Sequence, residues 1–298
     1  MLVVEAGPRI VAAGAFALHE PAPVAIRVAT WLGESLQLLT PDLLVDPECP
    51  QAAGLIAEAL VEEAHAVYLV ETPQAGIAAQ AFRSGSPWMR FWKDEDSFQV
   101  SLPPPRLHRL RQKVAYTTRR AERLGAHISV SVADERNEVG NALERFFELH
   151  EQRWRGKKDF DARFLTHDLR DWYRSTIASL TPRRGVYIVE VRENDGLVAS
   201  QLNFLAGHGA MFYAAATQPG GELRGPGHVA MLSSLEYARA RGATVMDLGQ
   251  LAGEAGGPKD RVGPTRVPSG HLAAARSPRA QRALDLAVVV RRRLRRLT

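Results

Sequence analysis

The chain has 298 residues, 45% of them apolar and 24% charged, with a net charge of +5. That is the composition of a globular protein with room for one large or two ordinary domains, not of a disordered or fibrous chain. No apolar run approaches the ~20 residues of a membrane span, the N-terminus lacks a secretory pattern, and a single cysteine (Cys49, in a Pro-flanked loop) excludes an internal disulfide. These features lead us to expect a cytoplasmic protein. The nine histidines have no metal-ligand spacing, so no metal is expected.

The first hundred residues read as strands with short helices. Leu2–Glu5 and Ile10–Leu18 flank the turn Ala6-Gly7-Pro8-Arg9, and a third strand is expected over Val24–Leu32. Gln51–Ala64 has helical apolar spacing, Val67–Val70 is a short strand, Gly76–Arg83 a short helix, and Trp88–Trp92 and Phe98–Leu102 two more strands. Pro103-Pro104-Pro105 breaks the pattern, and a long basic helix follows from Leu107 to Leu124, stopped by Gly125. Its basic run, Arg106–Arg123, reads either as a solvated face or as an anion-binding one.

The second half is more regular. A strand over His127–Val132 precedes helices over Val139–Trp154 and His167–Leu180. A three-strand meander follows: Val186–Arg192, Leu197–Leu205 and Ala210–Thr217, its first link the hairpin signal Asn194-Asp195-Gly196. Then come a glycine-rich loop (Pro219–Gly227), a helix (His228–Arg241), a buried strand (Val245–Leu248), an irregular stretch (Gly249–Gly270) and a basic amphipathic helix (Ser277–Leu297). The expected boundaries are 1–105, 106–276 and 277–298. The last helix could also rest on an anionic membrane surface.

One junction carries the chemistry. Gly225 and Gly227 allow tight turns and close approach of a ligand to backbone. They precede a helix N-terminus, with its unpaired N–H groups and positive dipole end. Together they form a pyrophosphate cradle. Ala214, Ala215 and Ala216 on the preceding strand leave room for a slender pantetheine-like chain.

This order and loop resemble the GNAT acyltransferase superfamily, in which the glycine loop binds the pyrophosphate of acetyl-CoA. Arg224-Gly225-Pro226-Gly227-His228-Val229 stands against the pattern Gln/Arg-x-x-Gly-x-Gly/Ala, departing from it at Val229. A closer resemblance is to the cellulose-biosynthesis-associated (CelD-type) acetyltransferases, relatives of the Fem-type transferases. It rests on Leu110-Arg111-Gln112-Lys113, Arg119 through Gly125, Phe146 through Trp154, Asp195 through Ser200, Pro226-Gly227 and Met246 through Gly249. The resemblance implies an α+β fold with a GNAT-type mixed sheet flanked by helices, in two tandem halves of which the first is shortened. That half lacks the strand and two helices expected before Leu2. It also implies acetyl-CoA as donor and an amine or hydroxyl of a small molecule or saccharide as acceptor. Arg224, Gly225, Gly227, His228 and Ala215 would hold the donor. Glu190, Asp247 and His228 are candidate bases, and Tyr213 a candidate acid. Gln250 stands where the family has arginine and Lys259 matches its lysine, so both are candidates for the acceptor. A Fem-like use of aminoacyl-tRNA, with the basic helix on the RNA, and a non-catalytic scaffold are the alternatives.

Overall fold

The computed structural model describes residues 1–20, 26–32, 42–86, 88–93, 96–155, 166–219, 225–250 and 257–294. The chain forms two compact units, Met1–Ser97 with Val267–Thr298, and Phe98–Arg266.

The first unit begins with β1 (Leu2–Ala6), β2 (Arg9–Gly14), β3 (Phe16–His19), β4 (Val28–Trp31) and β5 (Leu44–Val45). It continues with α1 (Ala52–Glu63), β6 (Ala66–Pro73), α2 (Ile77–Gly85) and β7 (Arg90–Lys93). The second unit contains β8 (Ser97–Ser101), α3 (Leu107–Arg123), β9 (Ile128–Ala133), α4 (Arg136–Trp154) and α5 (His167–Leu180). The meander β10 (Val186–Glu193), β11 (Gly196–Ala206) and β12 (Gly209–Thr217) follows, then α6 (Pro226–Ala240), β13 (Val245–Gln250), α7 (Pro258–Arg261) and β14 (Thr265–Val267). The chain returns to the first unit with β15 (Ser269–Ala275) and α8 (Pro278–Leu294). No described helix is long and apolar enough to cross a membrane.

In the first unit, β4 and β6 pair in parallel, Val28 opposite Ala66, and α1 is the crossover between them. They sit in a sheet ordered β3-β4-β6-β15-β7, beside a smaller sheet β1-β2-β5. Apolar residues of α1 and α2, among them Ile56, Leu60 and Phe82, fill the core against Val67, Leu69 and Leu272. The expected boundaries at 105 and 276 differ from these units. Ser269–Ala275 pairs with β6 and β7, so the first unit is closed by the end of the chain. β8, which precedes the Pro triplet, lies beside β13 in the second unit's sheet.

That second sheet has the order β14-β8-β13-β12-β11-β10-β9. Helices cover both faces, and strand alternation decides which residue meets which helix. Val189 and Val191 of β10 pack with Val229, Met231 and Leu235 of α6. Glu190, between those valines, turns to the other face and bonds Arg145 of α4. β12 and β13 are parallel with α6 as their crossover, as β4 and β6 are with α1. This is the α+β, mixed-sheet fold expected, with a parallel crossover in each unit.

Candidate functional site

The site grows from the ends of β12 and β13. Their register runs Gly209↔Val245, Ala210↔Met246 and Met211↔Asp247, and stops there, while both strands continue, β12 to Thr217 and β13 to Gln250. Past the last pair the strands diverge into a wedge. Lys259 stands at its apex. Its ammonium donates to the Leu248 carbonyl and lies 4.5 Å from the centre of the Phe212 ring, so it touches the first residue of each strand beyond the pairing.

A bulge adds to the wedge. Opposite β11, Leu202 pairs with Ala214 but Asn203 with Phe212, so Tyr213 is the extra residue on β12. A bulged residue leaves the ladder and frees a backbone group to bond something else. Its side chain faces α5, where the Tyr213 and Tyr173 hydroxyls meet at 2.5 Å.

The β12–α6 junction is the second part. Gly225 has φ 101° and opens α6, with Pro226 at its first position. The left-handed conformation excludes most side chains, and a Cβ there would lie 3.0 Å from Thr117 Oγ1 and 3.2 Å from His228 Nδ1. A Cβ at Gly227 would lie 3.6 Å from Thr217 Cγ2 and from Pro258 Cγ. Val229, the departure from the glycine-loop pattern, is buried against the sheet, so its bulk is directed away from the cradle. Ala215 is half-buried on β12 opposite Gln201, between the well-buried Ala214 and Ala216. His228 Nε2 accepts from Arg261 Nε at 3.1 Å, which leaves the proton of a neutral ring on Nδ1, toward Gly225.

The remaining sequence-predicted residues are placed as follows. Arg224 lies outside the described residues, and so does the side chain of Gln250 at the end of β13. Asp247 is on β13 between Met246 and Leu248, which pack under α6. It therefore points to the opposite face, and its Oδ1 accepts from the Gly249 N–H at 2.7 Å. Glu190 lies away from the wedge. Its side chain is 4% exposed and held by Arg145 at 2.7 and 2.9 Å and by Arg192 at 3.1 Å. Bidentate pairing of this kind is a strong, geometrically specific contact, and here it anchors β10 to α4. The structure thus gathers Ala215, Gly225, Gly227, His228 and Lys259 around the wedge and junction and sets Glu190 apart. No group of three or more His, Cys, Asp or Glu among the described residues is placed to hold a metal.

Sequence reasoning missed four residues here. Thr117 and Lys113 of α3 approach Gly225, Arg153 of α4 donates to Thr217 Oγ1, and Arg261 of α7 holds His228. Leu110, Lys113, Thr117 and Ala121 recur at helical spacing, and Leu110, Thr117 and Ala121 are buried. That spacing was the available signal that Lys113 leans inward rather than out to solvent.

The family model described as acetyltransferase (GNAT) domain matches residues 108–257, which contain β12, β13, the glycine junction and all but the first residue of α3, and end just before α7. Among solved structures, the chain is similar to FemX, with a TM-score of 0.62 and 12% identity over 92% of this chain and 87% of that one. It is similar to L-PGS from Bacillus licheniformis, with a TM-score of 0.56 and 15% identity over 92% and 85%. It is also similar to the C-terminal domain of a putative lysylphosphatidylglycerol synthetase from Agrobacterium fabrum, with a TM-score of 0.54 and 16% identity over 89% and 82%. No curated protein matches the sequence. Identities this low speak to the fold alone, but the family model spans half of the chain and the same elements that build the wedge: the chain belongs to the GNAT acetyltransferase family.

Proposed function

We propose that the protein transfers an acetyl or other acyl group from acetyl-CoA to an amine or hydroxyl of a small molecule or saccharide, in the manner of the CelD-type acetyltransferases. The observation that carries this reading is the wedge between β12 and β13 opening beside the Gly225 junction. The wedge offers unpaired β12 backbone to a pantetheine arm, and the helix N-terminus offers its dipole to a pyrophosphate. Ala214, Ala215 and Ala216 keep that side of the wedge free of bulk.

In this reading, a backbone N–H at the Tyr213 bulge meets the oxygen that gains charge as the acceptor attacks. The acceptor nitrogen or oxygen bonds the acyl carbon, the C–S bond breaks, and the acceptor proton leaves to a base. Asp247, on the sheet face opposite α6, is our candidate for that base, and Lys259 for the group that meets the acceptor or the acyl oxygen at the apex. Lys259 must release the Leu248 carbonyl when the wedge fills.

A Fem-like reading replaces acetyl-CoA with an aminoacyl-tRNA. The exposed arginines of α3 (Arg109, Arg119 and Arg123) favour it to that extent. Thiol release from acetyl-CoA tests the two together, using amino sugars, polyols and simple amines as acceptors and aminoacyl-tRNA as the rival donor. Acceptor-dependent thiol release supports the proposal. Thiol release no faster than the blank with every acceptor, alongside consumption of aminoacyl-tRNA, refutes it.

A further inference from the structure

Most arginines of the second unit that touch an acid are satisfied by it. Arg145 and Arg192 hold Glu190, Arg170 holds Glu151, and Arg174 holds Glu144 and Asp171. Around the β12–α6 junction the pattern reverses. Lys113, Arg153 and Arg261 have no carboxylate partner among the described residues, and they come from three different elements, α3, α4 and α7. Each is partly buried.

The three share one patch. Lys113 Cε lies 3.5 Å from the Cβ position of Gly225, and the His228 ring lies 3.2 Å from the same point. Arg261 holds the other side of that ring. Arg153 donates to Thr217, whose methyl is 3.6 Å from the Cβ position of Gly227. Beside them the backbone is poor in donors. Pro226 has no N–H, and the N–H of His228 turns back to the Gly225 carbonyl at 3.0 Å. A helix start with few free N–H groups binds an anion weakly by itself, whereas partly buried cations without counter-ions favour one strongly.

We propose that Lys113, Arg153 and Arg261 recognise the phosphates of the donor, supplying with side-chain cations what the first turn of α6 lacks in backbone N–H groups. The ligand chemistry is the pyrophosphate of a nucleotide thioester. This rests on the acetyl-CoA reading above. It assigns binding to three helices far apart in sequence: α3, between β8 and β9, then α4, and the short helix α7 after β13.

The test measures two donors on the full chain by calorimetry: acetyl-CoA, and acetyl-pantetheine, which has no phosphate. Lys113→Gln should weaken acetyl-CoA about 10-fold, the loss of one charge-assisted contact, and Lys113→Gln with Arg261→Gln about 50-fold or more. Acetyl-pantetheine should bind both variants within about twofold of wild type, since no phosphate contact is lost. Wild-type affinity for acetyl-CoA should also fall with salt more steeply than that of the variants. Wild-type-like acetyl-CoA binding by the double variant overturns the proposal while leaving the acetyl-CoA reading intact. Equal loss of acetyl-pantetheine overturns it as well, because the residues would then act through the fold. If wild type binds tRNA but not acetyl-CoA, both this proposal and the reading beneath it fall.

Discussion

The hydroxyls of Tyr173 and Tyr213 meet at 2.5 Å in a buried contact between α5 and the bulge of β12. The Tyr213 ring also stands edge-on to Phe204 at 5.3 Å. This ties the helix to the one residue of β12 that departs from the ladder, so the pair positions the bulge. Tyr213→Phe is expected to cost about 1 kcal/mol of stability through the lost bond. The Tyr173→Phe, Tyr213→Phe double variant should cost clearly less than the sum, because the two changes remove the same bond. Urea denaturation of the four proteins checks this, and strict additivity would deny the coupling.

Glu190 offers the sharpest contrast between a candidate base and a structural anion. Its side chain is 4% exposed, while Arg145 and Arg192 are 38% and 30% exposed. Glu190→Gln leaves two guanidiniums beside a neutral amide. Partial exposure of the arginines lowers the cost below that of a fully buried pair, to about 2 kcal/mol. Transferase activity per folded molecule should stay within about threefold of wild type. A base would lose on the order of 100-fold or more, and such a loss with unchanged stability would restore Glu190 to the mechanism.

The first unit repeats the parallel crossover but closes its cradle. At the start of α1 the N–H groups of Ala52, Ala53 and Gly54 each bond a carbonyl of the preceding loop, at 3.0, 3.3 and 3.0 Å. Asp46 and Glu48 add carboxylates there, paired with Arg9, whose guanidinium holds Asp46 below the usual carboxylate range. A phosphate would meet negative charge and three N–H groups already bonded. Calorimetry should therefore give one acetyl-CoA site per chain, and a stoichiometry of two would contradict the reading of α1.

Tyr237 links α6 to the loop after β9. Its hydroxyl donates to Asp134 at 2.5 Å, and burial first, then that bond, pushes its pKa up to about 12. The ordinary tyrosine value is about 10. The folded state thus holds the proton more tightly than the unfolded one. The resulting stability is complete below pH ~10 and is lost as pH rises toward 12. Urea midpoints of wild type should fall across that window, and the Tyr237→Phe variant should show a shallower fall.

The elements legible in the sequence were those with strong local signals. The meander β10–β12 follows from Asp195-Gly196 and alternating apolar residues, and α4 and α6 from helical spacing. Other features depend on distant parts of the chain. Ser269–Ala275 is rich in alanine, a poor strand former, and becomes a strand because β6 and β7 flank it. Ile10–Leu18, read as one strand, is two, β2 and β3, which belong to different sheets. At the site, the glycines announced the junction, since only a positive φ explains Gly225 there. Lys113, Arg153 and Arg261 did not, because they sit on three helices far apart in sequence, and a cation without a carboxylate partner is invisible until its neighbours are placed.

Hydrogen exchange of the full chain with and without ~1 mM acetyl-CoA, above the range of Kd values expected for such donors, tests the central claim most directly. The account predicts protection in the peptides covering Phe212–Thr217 and Gly225–Ala230, and none at Asp46–Ile56. Unchanged exchange in the first two segments, or protection confined to the third, would contradict a donor site between β12 and β13.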